Sequence, residues 1–279
     1  MIIINARLLN RFELYLQEAE ASPHTISKYL RDVRKLEAVM GSALRSREQL
    51  LAFKRRLQQS GYAVRSINSM LSSVNRFLVF CQKPEWKLKV LKMQRAVFSD
   101  GQRELSRSEY QALVAEARRR GNDRLDMILQ TICSTGIRIS ELKAITVESL
   151  NAGMAEIHSK GKIRQILIPH TLRRMLAAYC RRRGITAGYI FLTRLGNVPD
   201  RSNLWKELKR LAQATRVAGR KVFPHNLRHL FARSFYQKHK DIVYLADILG
   251  HSSIDTTRIY TMKNSRSEMQ RLESLGLFV

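Results

Sequence analysis

Apolar side chains recur every three or four residues through most of this chain, the period of helices that bury one face. Ile26, Leu30, Val33 and Leu36 share a face in a segment that opens with Ser22 as N-cap and Pro23 at the first helical position. Lys28, Arg31, Arg34 and Lys35 surround the rest of that helix, and Gly41 closes it. A second segment, roughly 46–59, ends before Gly61, and Ile67, Leu71, Val74 and Leu78 mark another. With a helix ahead of Ser22, residues 1–83 are predicted to form a four-helix module. Residues 84–104 hold Pro84, Gly101 and several lysines with weak periodicity, and read as a basic linker. Ser106-Arg107-Ser108-Glu109 is a capping box that opens a second, mostly helical region over 105–279. Residues 154–168 carry the one clear strand signal. Two short stretches, 155–158 and 165–168, flank the turn-like Lys160-Gly161-Lys162. The expected fold class is mainly α with a small β-sheet, in two domains.

Charge narrows the possible partners. The 279 residues carry 50 Lys+Arg against 23 Asp+Glu, a formal net charge of +27. The excess is spread along the chain: 18 basic and 8 acidic residues in 1–101, and 32 and 15 in 102–279. Both halves thus present a surface suited to a polyanion, where each Lys or Arg on a phosphate releases condensed counterions. Met1–Ile4 is too short for a signal-peptide core, and no run approaches the ~18 apolar residues of a membrane span. Cys81, Cys133 and Cys180 are scattered without a CxxC, so neither a disulfide framework nor a zinc site is expected. These features point to a reducing cytoplasm.

Three short patterns could carry chemistry. In His225-Asn226-Leu227-Arg228-His229, the first, fourth and fifth residues share one helical face. A zinc helix would place Glu after the first His, where Asn226 stands, and Arg228 would repel the metal. An ordinary structural helix and a phosphate site, with Arg as bidentate donor, are the other two readings. Thr135-Gly136-Ile137-Arg138-Ile139-Ser140-Glu141-Leu142 lies upstream, with Arg138 at a helix start. Leu249-Gly250-His251-Ser252-Ser253-Ile254-Asp255-Thr256-Thr257-Arg258-Ile259-Tyr260 lies downstream.

In this order and spacing the three patterns, with residues 159–169, resemble the tyrosine recombinase (phage integrase) family, most closely its compact Xer-type members. The resemblance implies an N-terminal core-binding domain and a C-terminal α+β catalytic domain that clamp duplex DNA. It implies that Arg138 and Arg228 grip the scissile phosphate, that His225 and His251 complete the site, and that Tyr260 is the nucleophile. A hairpin lysine would protonate the departing 5′-oxygen. Many relatives read GKG-x-K-x-R where this chain has Ser159-Lys160-Gly161-Lys162-Ile163-Arg164, so Lys160 is the better match and Lys162 the alternative. Glu141 and His229 are expected to support the site. The Tyr260 phenol, with a pKa of ~10 when unperturbed, is a poor nucleophile at neutral pH unless the cationic cluster lowers that value. Arg65, Asn68, Arg76 and Arg201 are expected on the DNA. No metal or other cofactor is implied, because a 3′-phosphotyrosyl intermediate conserves the bond energy; the chain also lacks a GxxxxGK[ST] loop.

Four protomers on two duplexes are implied, with a second recombinase or accessory factor left open. In the tail, about 265–279, Met269, Leu272 and Leu275 form an apolar stripe. It would either fold back on its own domain or dock into a neighbouring protomer, as relatives do. Two rival functions remain at this point: a type IB topoisomerase, and a DNA-binding regulator with a vestigial site.

Overall fold

The computed structural model describes residues 1–93, 98–99, 101–159, 162–193 and 195–277, with 98–99, 101, 159, 162 and 263–268 described through their backbone alone. The chain divides into two compact units, Met1–Arg95 and Ala96–Val279.

The first unit packs four helices, α1 (Ala6–Glu18), α2 (Pro23–Met40), α3 (Arg47–Gln59) and α4 (Val64–Phe80). A short antiparallel pair, β1 (Ile2–Ile3) with β2 (Ala43–Leu44), ties its start to the α2–α3 connection. The Asn5 and Ser22 side chains accept from the amides three residues on, which sets where α1 and α2 begin. Phe12, Val33, Leu36, Phe53, Leu71 and Phe77 are wholly buried, with Phe12 edge-on to Phe77 at 5.2 Å. One polar cluster sits among them. The Lys28 ammonium donates to Asp32 at 2.7 Å and to Ser73 at 2.8 Å, and Ser73 also donates to Asp32, so the buried carboxylate is satisfied.

The expected linker begins later than its composition suggests. Leu88 is 3% exposed in the first unit's core, and Leu91 packs against it. The Asn75 amide pairs with both backbone groups of Leu88 (2.9 and 2.8 Å), and the Asn68 amide does the same for Leu91 (2.9 and 2.7 Å). These apolar anchors are spaced too irregularly for a periodicity argument to find them. Asn68 is therefore committed to holding the chain rather than to a base edge, and Ser73 faces inward.

The second unit begins at β3 (Phe98–Ser99), which pairs in parallel with β6 (Lys263–Asn264) near the chain's other end. Its helices are α5 (Arg107–Arg119), α6 (Asp123–Thr135), α7 (Val147–Ala152), α8 (His170–Arg183), α9 (Arg201–Ala214), α10 (Pro224–His239), α11 (Ile242–Leu249), α12 (Ile254–Thr257) and α13 (Ser265–Glu273). The capping box at Ser106 and Glu109 forms as expected. Strands β4 (Met154–Ser159) and β5 (Lys162–Leu167) make the hairpin, in register Ile157↔Arg164 and Ala155↔Ile166. Lys160, at its tip, lies outside the described residues. Helix α6 runs through the core and buries residues on most of its circumference, as a helix enclosed by its own domain must.

The end of α6 positions the site. Gly136 caps it in the left-handed region (φ +67°) and turns the chain into a 3-10 helix, Ile139–Ala144. A Cβ at Gly136 would stand 2.4 Å from Cδ1 of Phe231 on α10, so the packing needs glycine as much as the backbone does. Gly184, which caps α8 at φ +65°, has nothing within 4 Å of such a Cβ. Gly184→Ala should cost about 1 kcal/mol for the left-handed backbone alone, and Gly136→Ala about 1–3 kcal/mol more for overpacking. Denaturant unfolding of the two variants checks this, and equal losses would show that Phe231 moves aside at no cost.

Candidate active site

Arg228 is the centre of the site. It lies on the inner face of α10, is 1% exposed, and its guanidinium joins two loops distant in sequence. Nη1 donates to the Gly136 carbonyl at 2.7 Å and Nη2 to the Leu249 carbonyl at 2.6 Å. Nη2 also lies 3.2 Å from Nε2 of His251, and Nε has no partner. Burial lowers the Arg228 pKa to about 10, with Arg138 adding to the effect, so the group stays charged at neutral pH.

Glu141 gathers the other arginines. From the 3-10 helix after Gly136, its carboxylate accepts from the Arg138 backbone amide (2.7 Å) and from Arg138 Nη1 (2.8 Å). It also accepts from Arg164 Nη2 (2.6 Å), and Arg228 Nη1 stands 4.0 Å away. Arg138 is thus braced at its base while its side chain stays 37% exposed, whereas Arg228 is sealed in. Arg138, His225 and Arg228 line an open cavity of about 840 Å³ together with Arg201 and Trp205 of α9.

Tyr260 ends a 3-10 helix, Arg258–Tyr260, that follows α12, and is 4% exposed. Its ring stacks on His251 (centroids 6.4 Å, interplanar 14°) and meets His229 edge-on (5.0 Å, 83°), while His225 meets His229 at 4.5 Å. His251 follows Gly250, the left-handed cap of α11, and its Nδ1 shares a 2.9 Å hydrogen bond with the Thr257 hydroxyl. The ring is held from both sides.

The cationic cluster does not lower the pKa of the Tyr260 phenol. Burial pushes the Tyr260 pKa up and outweighs the opposing pull of Arg228, Arg138 and Arg233. Desolvation of a buried phenolate costs more than three partly neutralised guanidiniums return. Tyr260 is therefore protonated at neutral pH. Burial, reinforced by neighbouring cationic groups, also lowers His225, and takes His229 and His251 down to about 4, so these imidazoles are neutral. Nε2 of His229 is buried without a partner. Among the described residues, no three His, Cys, Asp or Glu side chains are placed to hold a metal ion, and no helix is long and apolar enough to cross a membrane.

Arg138, Glu141, His225, Arg228, His229, His251 and Tyr260 thus converge, whereas Lys160 lies outside the described residues. Arg164 and Thr257 also belong to the cluster. Sequence reasoning assigns them no role: Arg164 appears only as the last residue of the hairpin pattern, and Thr257, at the end of α12, only inside the third pattern. In the first unit, Arg65 is exposed and borders a cleft of about 520 Å³ with Lys28, Arg31 and Lys35. Arg76 lies over the Tyr15 ring at 4.8 Å.

Residues 103–267 match the phage integrase family, and residues 9–83 match the phage integrase N-terminal SAM-like domain. The chain is 28% identical to a tyrosine recombinase XerA from Pyrococcus horikoshii, over 99% of this chain and 95% of that one. It is 30% identical to a tyrosine recombinase XerA from Thermococcus kodakarensis, over 91% of this chain and 90% of that one. Among solved structures, a lambda integrase dimer bound to a COC′ core site is similar with a TM-score of 0.75 at 16% identity, covering 94% of this chain and 96% of that one, which shows a shared fold. With the family matched over most of its length and a relative 30% identical across nearly all of both chains, the chain belongs to the phage integrase family, the tyrosine recombinases that cleave and rejoin DNA strands.

Proposed function

We propose that this chain is a site-specific recombinase in which Tyr260 attacks a DNA phosphate. A 3′-phosphotyrosyl bond forms, and the 5′-oxygen leaves and gains a proton. The 5′-hydroxyl of a partner strand then attacks the phosphotyrosine and restores the phenol. The observation that carries this reading is the buried Arg228, set against both His251 and the Tyr260 ring system. Arg138 and Arg228 bind the non-bridging oxygens and stabilise the charge that builds on them in the transition state. His225 and His251 are neutral, so an imidazole N–H can donate to the phosphate oxygens while an unprotonated ring nitrogen can accept from the phenol, whose proton has to leave as it attacks. A hairpin lysine, Lys160 rather than Lys162, protonates the leaving oxygen, while Glu141 and His229 hold the machinery in place. Arg65, Arg76 and Arg201 contact DNA outside the reacting phosphate.

The partner is a double-stranded recombination site. Solved relatives include a XerH recombinase bound to a difH substrate, which supports that choice. Two duplexes require four protomers, and the tail is the proposed link between them. Met269, Leu272 and Leu275 are 59%, 52% and 59% exposed, so the stripe is not used up by folding back on its own unit. Free, scattered cysteines suit work in the cytoplasm, where DNA is met under reducing conditions.

A nicked substrate that loses its 5′-hydroxyl fragment on cleavage should trap the protein on DNA, in EDTA and without nucleotide triphosphate. Tyr260→Phe should bind this DNA with unchanged affinity and form no adduct, whereas changing Tyr236 or Tyr244 should leave adduct formation intact. An adduct in Tyr260→Phe, or a strict need for Mg²⁺, would overturn the mechanism. Ending the chain at Asn264 should spare single-site binding and abolish pairing of two sites. Full recombination by the shortened protein would remove the tail from the assembly.

The histidines also make the second unit's stability depend on pH. Between pH 6.5 and about 4 the unfolded chain binds protons on His229 and His251 that the folded site excludes. Stability contributed by this exclusion is complete above pH 6.5 and is lost as pH falls towards 4. His229→Gln should reduce the slope of stability against pH in that window, measured as the difference from wild type by denaturant unfolding. An unchanged slope would show that His229 titrates as an exposed imidazole.

A further inference from the structure

We propose that Arg164 is a positioning residue that fastens the β4–β5 hairpin to the phosphate-binding elements and so sets where the hairpin lysine meets the leaving oxygen. This rests on the lysine's role as proton donor in the reaction proposed above.

Residues 164 and 166 share the inner face of β5, and Ile168 just past its end is buried like Ile166. Ile166 and Ile168 fill the core with Ala155 and Ile157 of β4, while Ile163 and Leu167 point outward, 64% and 68% exposed. An apolar residue at 164 would continue this pattern, yet a charge stands there with a side chain only 14% exposed. Both hydrogen bonds of its guanidinium go to elements other than the hairpin, and Nε is buried without a partner. Nη2 donates to Glu141, the carboxylate that braces Arg138, and Nη1 donates to the Ile248 carbonyl in the last turn of α11.

The route to these partners is narrow. The Arg164 stem crosses directly over Gly250, where an added Cβ would lie 2.4 Å from Cδ and 2.7 Å from Nε. Gly250 therefore clears a path for Arg164 as well as capping α11, and His251 is the next residue. One side chain thus touches the helix that carries Arg138, the turn that carries His251, and the strand that leads to the lysines. Lys162 is two residues along that strand, about 7 Å away. A buried ion pair is often no more stabilising than an apolar pair of the same volume. Stability alone thus gives a weak reason for Arg164, whereas fixing the strand against the site gives a specific one.

The test uses single-turnover cleavage of ordinary DNA and of DNA whose scissile 5′-bridging oxygen is sulfur, a leaving group that needs no proton. Arg164→Ala should slow cleavage of ordinary DNA at least about 100-fold but stay within about 5-fold of wild type on the sulfur substrate, as loss of general-acid catalysis requires. Lys160→Ala should behave in the same way, while Arg138→Ala should be slow on both. Equal losses for Arg164→Ala on the two substrates would overturn the proposal and leave Arg164 as a support for Arg138 or for the fold. Should Arg164→Ala fail to bind DNA, Arg164→Lys, which keeps the charge near Glu141 and loses the two-pronged grip, takes its place in the same comparison. If neither Lys160→Ala nor Lys162→Ala is rescued by sulfur, the assignment of the proton donor itself is wrong, and the inference falls with it.

Discussion

Everything in the catalytic unit's functional end depends on the burial of Arg228. A guanidinium that is 1% exposed has to be repaid for its lost water, and two backbone carbonyls and the approach of Glu141 do this. Those carbonyls belong to Gly136, at the end of α6, and Leu249, at the end of α11, so satisfying the charge brings two loops to one point. The same loops lead directly to Arg138 and to His251. The need to pair a buried charge thus assembles a site from segments about a hundred residues apart, and the family's proposed phosphate ligands arrive together because of it.

Around Arg228 and Tyr260 the cluster is buried as well as basic, and that combination decides the protonation of its groups. Desolvation disfavours every charged form, so the imidazoles of His229 and His251 fall and the Tyr260 phenol rises despite the adjoining guanidiniums. A nucleophile prepared by cations alone would be ionised before substrate arrives. Here the phenol is kept neutral, so in the proposed reaction its deprotonation would accompany the attack. In the proposed reaction, the cost of holding Arg228 in a low-dielectric pocket would be repaid by the negative charge of the phosphoryl transition state, because the same interactions are stronger there than in water.

Two glycines show how tightly the surrounding loops are packed. Gly136 admits Phe231 and Gly250 admits Arg164, each at distances that a Cβ would close. In both places the left-handed backbone and the lack of a side chain are needed at once, so the turn and its neighbour are specified together. Arg164 extends this economy to the hairpin, which otherwise meets the unit through its apolar face.

The sequence by itself determined the helical architecture, the two-part organisation and most of the converging residues, though not Arg164 and Thr257. Caps such as Ser22 and the Ser106–Glu109 box, and apolar periods such as 26, 30, 33 and 36, act within a few residues and can be read locally. Most of the residues that converge could be picked out because the three motifs occur jointly and in order. Tertiary structure decided what depends on neighbours distant along the chain. It gave Asn68 and Asn75 to the backbone of residues 88 and 91, moving the start of the linker, and it turned Ser73 inward to Asp32. It placed Arg164 over Gly250, and it set the sign of the Tyr260 shift. The nearby arginines could be counted from the sequence, but the water excluded from around the phenol could not, since desolvation is a property of packing rather than of the order of residues.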